Sequence, residues 1–239
     1  MKQRHLGGLT LALLLLAQFG WAAPSDDALG LHSDGGPWRF YPAEGRATAQ
    51  KRVLLIGDSI MNGYRGKVIA ALKDKAAVDC WLTPLHLNSE LLHHDLKQVL
   101  SQGPYDVIHF NIGLHGWEPG TIPEGQYEPL LRKYVGILQE GGGNARLIWA
   151  STTQMTVKGK PTELDPVHNK TITERNLIAA RVMEDEGVTV DDLYGLVSDK
   201  LHLARGDRFH WRGPAYGLMA QQVVSYIDKA LKTDPPPDD

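Results

Sequence analysis

Cysteine is almost missing from this chain, with Cys80 alone in 239 residues. An internal disulfide is excluded, and so is a lipid-bearing cysteine after an export signal. Set in the apolar stretch 78–82, Cys80 is expected to be a buried structural thiol. Charge of one sign is also lacking: 25 basic and 28 acidic side chains leave a formal net charge of −3, mixed along the chain. That removes the broad basic surface on which nucleic acid is bound. No internal repeat and no second apolar core is visible, so the length fits one domain.

Long hydrophobic runs are scarce as well. The longest, residues 6–19, falls short of the ~20 apolar residues a bilayer core asks for. It follows a basic head of Lys2, Arg4 and His5 and precedes Gly20 and Ala22, a small-x-small cleavage pattern. Residues 1–22 therefore read as an export signal cut after Ala22, since a cut one residue later would put Pro24 directly behind it. The mature protein is expected to be soluble in the periplasm or outside the cell, without stable membrane insertion. Residues 23–50 form a polar lead-in strap whose large apolar residues are Trp38, Phe40 and Tyr41. The domain proper is placed at 51–232, and the proline-rich residues 233–239 read as a disordered tail.

Within the domain, short apolar runs alternate with amphipathic stretches, the pattern of parallel strands joined by crossover helices. Strands are predicted at 52–56, 78–82, 107–110, 146–150 and 188–190. Helices are predicted at 63–75, 91–101, 127–140, 173–186 and 215–232; in the third, Leu130, Leu131, Tyr134, Val135 and Leu138 recur at helical spacing. The result is an α/β chain folded as a three-layer α/β/α sandwich on a five-stranded parallel sheet. The link 152–169 has no clear pattern and lies at the carboxyl edge, where such sheets bind ligands.

Two stretches carry chemistry. Val53-Leu54-Leu55-Ile56-Gly57-Asp58-Ser59 is an apolar strand that stops abruptly at a small residue, an acid and a hydroxyl. A serine at that junction projects from the sheet edge, with helix amides behind it to stabilise negative charge. Near the other end, Asp207 and His210 share a loop before the last helix. Two intervening residues let the carboxylate hold one imidazole nitrogen while the other is free to deprotonate a serine. Taken singly, each has a plainer reading: a capped turn at Asp58, an N-capping Asp207 beside a half-buried histidine.

Together, in this order and context, Gly57-Asp58-Ser59-Ile60 and Asp207-x-x-His210 resemble the first and fifth sequence blocks of the GDSL/SGNH hydrolases. The resemblance spans almost the whole mature chain and implies the flavodoxin-like sandwich of that family. Asn111-Ile112-Gly113-Leu114-His115 is similar to the third block but departs from its usual Gly-x-Asn-Asp. Aligning on Gly113 puts His115 where the family has its oxyanion-binding asparagine, so Asn111 or His115 is the expected side-chain donor. The second block normally supplies a glycine N–H, but the loop 85–90 contains no glycine, leaving the backbone of Asn88 or Ser89 as substitute.

The resemblance implies a serine esterase with Ser59 as nucleophile, His210 as base, Asp207 as its partner and Ser59 N–H in the oxyanion hole. It needs no metal or organic cofactor. Carbohydrate carrying acyl, above all acetyl, esters is the expected substrate; small esters are also open. A silent glycan-binding module or an acetyltransferase component is the alternative; the missing second-block glycine favours the silent module. His93, His94 and Asp95, with His86 and His109 nearby, are expected to be a solvated helix face rather than a metal site. The 117–123 loop and Trp211 are expected beside the pocket, as sugar-stacking or core aromatics.

Overall fold

A computed structural model describes residues 37–46, 48–118 and 120–233. The export signal and its cut after Ala22, residues 23–36 of the strap and residues 234–239 of the tail lie outside the described residues.

The central strand, β2 (Arg52–Gly57), is apolar on both faces because both are covered. It pairs in parallel with β3 (Ala77–Leu82) on one side and β4 (Val107–Phe110) on the other. Beyond β4 lie β5 (Arg146–Ala150) and the edge strand β8 (Thr189–Asp191), both parallel. The five predicted strands thus appear within a residue or so of their expected ends. A sixth was not predicted: strap residues Phe40–Tyr41, β1, pair antiparallel with β3. The sheet order is β1-β3-β2-β4-β5-β8. The β2–β3 crossover goes to one side of β2 and the β3–β4 crossover returns to its other side, so the carboxyl end of β2 borders the switch point where an open sheet forms a crevice.

Alternation along β2 divides the core. Val53 and Leu55 pack with α1 (Ser59–Leu72), α5 (Leu193–Val197) and α6 (Gly213–Lys232). Leu54 and Ile56 point the other way, to α2 (Glu90–Leu100), α3 (Tyr127–Gly142) and α4 (Pro166–Asp185). Cys80 is fully buried in the first layer, and burial pushes its thiol up to about 12. The strap is held by Phe40, by Arg65 over Tyr41 at 4.0 Å, and by the buried Asp79 carboxylate, which accepts from Ala43 N–H and Arg52.

Two helices begin four or more residues earlier than predicted, each where an aspartate caps it. Asp58 accepts from Ile60 N–H, so α1 starts at Ser59 rather than residue 63. Gly63 then lies inside α1, where a Cβ would strike the Tyr216 ring at 2.2 Å; the glycine permits close contact with α6. Asp165 caps Val167 and His168, and Pro166 occupies the first turn of α4. The patternless link holds a two-stranded hairpin, β6 (Thr156–Val157) and β7 (Lys160–Leu164). The solvated-face expectation for α2 fails for His93 and Asp95, which are buried because this side of α2 packs on the next helix; His94 alone is exposed.

Candidate active site

Ser59 is the first residue of α1, immediately beyond β2, so its N–H has no acceptor within the helix. Gly57 makes the exit possible, because a Cβ there would meet Met61 Cβ at 2.7 Å. From the other end of the chain, the 205–212 loop brings His210 Nε2 to 2.9 Å from Ser59 Oγ. His210 Nδ1 lies 3.0 Å from Asp207 Oδ2, and His210 N–H donates to Asp207 Oδ1 at 2.9 Å. An ionised Asp207 accepts from Nδ1–H, which leaves the Nε2 lone pair for the serine proton. Burial pushes the Asp207 carboxyl up, but the His210 N–H and ring outweigh it and hold the group below its usual range.

The loop carrying Asp207 is braced by the hairpin. Thr156 N–H donates to Arg208 O and Gly159 N–H to Gly206 O, each at 2.8 Å. Arg208 is the one non-glycine among the described residues with positive φ, +98°. Such a backbone costs about 1–3 kcal/mol for a residue with a Cβ. Its guanidinium donates to Asp165 Oδ2 at 3.2 Å, and His168 Nδ1 lies 2.8 Å from Asp165 Oδ1. Burial raises the Asp165 carboxyl, but His168 and Arg208 together hold it below its ordinary value. Sequence reasoning missed Arg208, Asp165 and His168; the Asp165-Pro166 helix start was the readable signal.

Beneath the serine, Asp58 is 5% exposed. Burial pushes its carboxyl up, against the pull of His115, the Ile60 N–H and His210. His115 stands on a short 3-10 turn, Leu114–Gly116, beyond β4, with its ring edge-on to Trp38 at 5.3 Å. Its Nε2 is buried and meets no hydrogen-bond partner. Burial first, and His115 beside it second, push the His86 imidazole below its ordinary value.

The Asn111 amide, one of the two expected oxyanion donors, is engaged by other groups in this geometry. Its amide donates to Ala150 O at 2.6 Å and Thr152 Oγ1 at 3.2 Å, which ties the ends of β4 and β5 together. Gly113 makes room for that tie, since a Cβ there would sit 1.9 Å from Thr152 Oγ1. The Ser89 backbone is also committed elsewhere: its N–H donates to His86 O and its hydroxyl caps α2. Asn88 is exposed, and its side chain tethers Thr121 O. His109 Nε2 is bonded to Asp191 at 3.0 Å, deep in the core, and Gln222 of α6 holds the other carboxylate oxygen. Of the two expected aromatic positions, Trp211 is core, donating to Thr153 Oγ1, whereas Trp117 stands at the mouth with Phe209 and His168.

Comparison with protein-family models and with curated protein sequences finds no match. Solved structures do match. A lipase/acylhydrolase from Enterococcus faecalis superposes with TM-score 0.61 at 18% identity, covering 79% of this chain and 100% of its own. The acetylxylan esterase Axe2 from Geobacillus stearothermophilus gives 0.58 at 15%, covering 79% and 97%. A GDSL-like lipase from Bacteroides thetaiotaomicron gives 0.58 at 13%, covering 75% and 89%. The chain has the fold of the GDSL/SGNH hydrolases.

Proposed function

We propose that the chain is an exported serine ester hydrolase of the GDSL/SGNH type, which removes acyl groups, chiefly acetyl, from carbohydrate. The observation that carries this reading is the continuous Ser59–His210–Asp207 hydrogen-bond chain at the switch point of an SGNH-type fold. The acetylxylan esterase among its structural neighbours supports an acetylated sugar as substrate. The basic head, apolar run and small-residue cut site at residues 1–22 support export to the periplasm or the outside of the cell.

In the acylation step Ser59 Oγ attacks the ester carbonyl carbon as its proton passes to His210 Nε2. Asp207 stabilises the imidazolium. The carbonyl oxygen takes the negative charge and is held by the Ser59 N–H and by His115, whose buried Nε2 lacks any other partner. Collapse breaks the bond to the alcohol oxygen, which receives the proton from Nε2. Water then follows the same course, with His210 as base, and releases the carboxylic acid and free Ser59.

A silent binding module has one specific observation in its favour, the absence of a second-block glycine combined with the committed Ser89 N–H. Hydrolysis of p-nitrophenyl acetate separates the readings. The hydrolase reading expects wild-type turnover that falls at least about a thousandfold in Ser59→Ala; equal, background-level rates contradict it. A transferase would acetylate an added sugar faster than it releases acetate.

A further inference from the structure

The strained arginine beside the candidate site calls for an explanation that the hydrolytic chemistry does not supply. Glycine would accept φ +98° without difficulty, and the hairpin hydrogen bond to Arg208 O prevents the turn from relaxing. Arginine at this position therefore implies a use for its side chain. The guanidinium bonds Asp165 through Nη2 alone, while Nε is buried without a partner. A third of the side chain, 33%, faces solvent, and the guanidinium stands 5.8 Å from the centre of the Trp117 ring. Next to it, Phe209 lies 5.8 Å from the His210 ring and 6.0 Å from Trp117. Running outward from the imidazole, the mouth therefore presents Phe209, Trp117 and a cation with unused N–H donors.

His210 hands its proton to the departing alcohol, so side chains flanking it on its own loop border the leaving group rather than the acyl chain. We propose that Arg208, Trp117 and Phe209 form a leaving-group subsite for a hydroxyl-rich ring, a pyranose, and so select O-acyl sugar esters over simple alkyl esters. This rests on the hydrolase reading. The aromatic rings take the ring's C–H face, and the guanidinium donates to its hydroxyl oxygens. A fatty alcohol would fit an aromatic wall equally well, but it would leave these donors without acceptors. The Asp165–His168 pair fixes the guanidinium from behind, so it needs little ordering on binding.

The test uses one acyl group on two alcohols. Wild type, Arg208→Gly and Trp117→Ala are assayed on a mono-O-acetylated methyl pyranoside and on ethyl acetate. The subsite predicts that the ratio of kcat/KM values favours the glycoside in wild type and falls at least tenfold in each variant. It also predicts that Arg208→Gly keeps a melting temperature near wild type, because glycine relieves the turn. In a second arm the unacetylated methyl pyranoside is titrated by NMR into Ser59→Ala and into Ser59→Ala/Arg208→Gly. Binding by the first and at least tenfold weaker binding by the second supports the subsite, even if wild type hydrolyses neither ester and the hydrolase reading falls. Equal losses on both esters, or no glycoside binding by Ser59→Ala, overturns the subsite while wild-type turnover of ethyl acetate leaves the hydrolase reading standing.

Discussion

Asp58 shows how one residue type does two jobs in this chain. Its carboxylate caps α1 and so sets where Ser59 emerges, yet it does so at a buried position that disfavours its charge. A carboxyl whose folded pKa is raised destabilises the fold as pH climbs from the unfolded value, the loss being complete once pH passes the folded one, and it is neutral in both folded and unfolded chains at low pH. Asparagine caps a helix about as well and carries no charge. Asp58→Asn is therefore expected to melt at or above the wild-type temperature at pH 7. The difference should shrink to nothing below about pH 4, the ordinary aspartate range. A variant markedly less stable at pH 7 than wild type would mean that the charge, held by His115 and His210, stabilises the fold. Asn111 gives the opposite lesson: its amide looked catalytic in sequence, but two acceptors on the neighbouring strand end claim it.

At the scale of elements, the β6–β7 hairpin is the brace of the candidate site. It reaches the acid-bearing loop through two backbone hydrogen bonds, and Pro161 packs against Gly206. Removing the Thr156 N–H by Thr156→Pro should cost about 1 kcal/mol of stability through the lost bond. Its effect on catalysis should be larger, since small displacements of a general base cost orders of magnitude. The expected outcome is a kcat on p-nitrophenyl acetate at least tenfold lower with KM little changed and a modest fall in melting temperature. Undiminished kcat would show that Asp207 and His210 hold their positions without the hairpin. This hairpin was illegible in the sequence because its strands are short and its second strand is mostly exposed, so no alternation marks it. The long buried strands were legible for the converse reason: apolar residues such as 53–56 are covered on both faces and interrupted only at their ends.

Across the whole molecule, the order of strands does what no single element can. With the β2–β3 crossover on one side of β2 and the β3–β4 crossover returning to its other side, its carboxyl end borders the crevice, and the packing of α6 along α1 seats the preceding His210 loop beside Ser59. The five parallel strands, the larger helices and the pairing of Ser59 with Asp207 and His210 could be read from motif order and periodicity. The antiparallel β1 could not, because its two residues gain strand character only by joining β3. Nor could the engagement of the Asn111 amide by Ala150 and Thr152 be read, since it depends on how two strand ends meet in the folded chain. The central claim is that Ser59 becomes covalently acylated with His210 as its base, and its most direct test is capture of that bond. Wild type treated with an alkyl fluorophosphonate should gain one phosphonyl mass on the peptide holding Ser59, and His210→Ala should label far more slowly. Labelling elsewhere, or equal labelling of Ser59→Ala, would contradict the account.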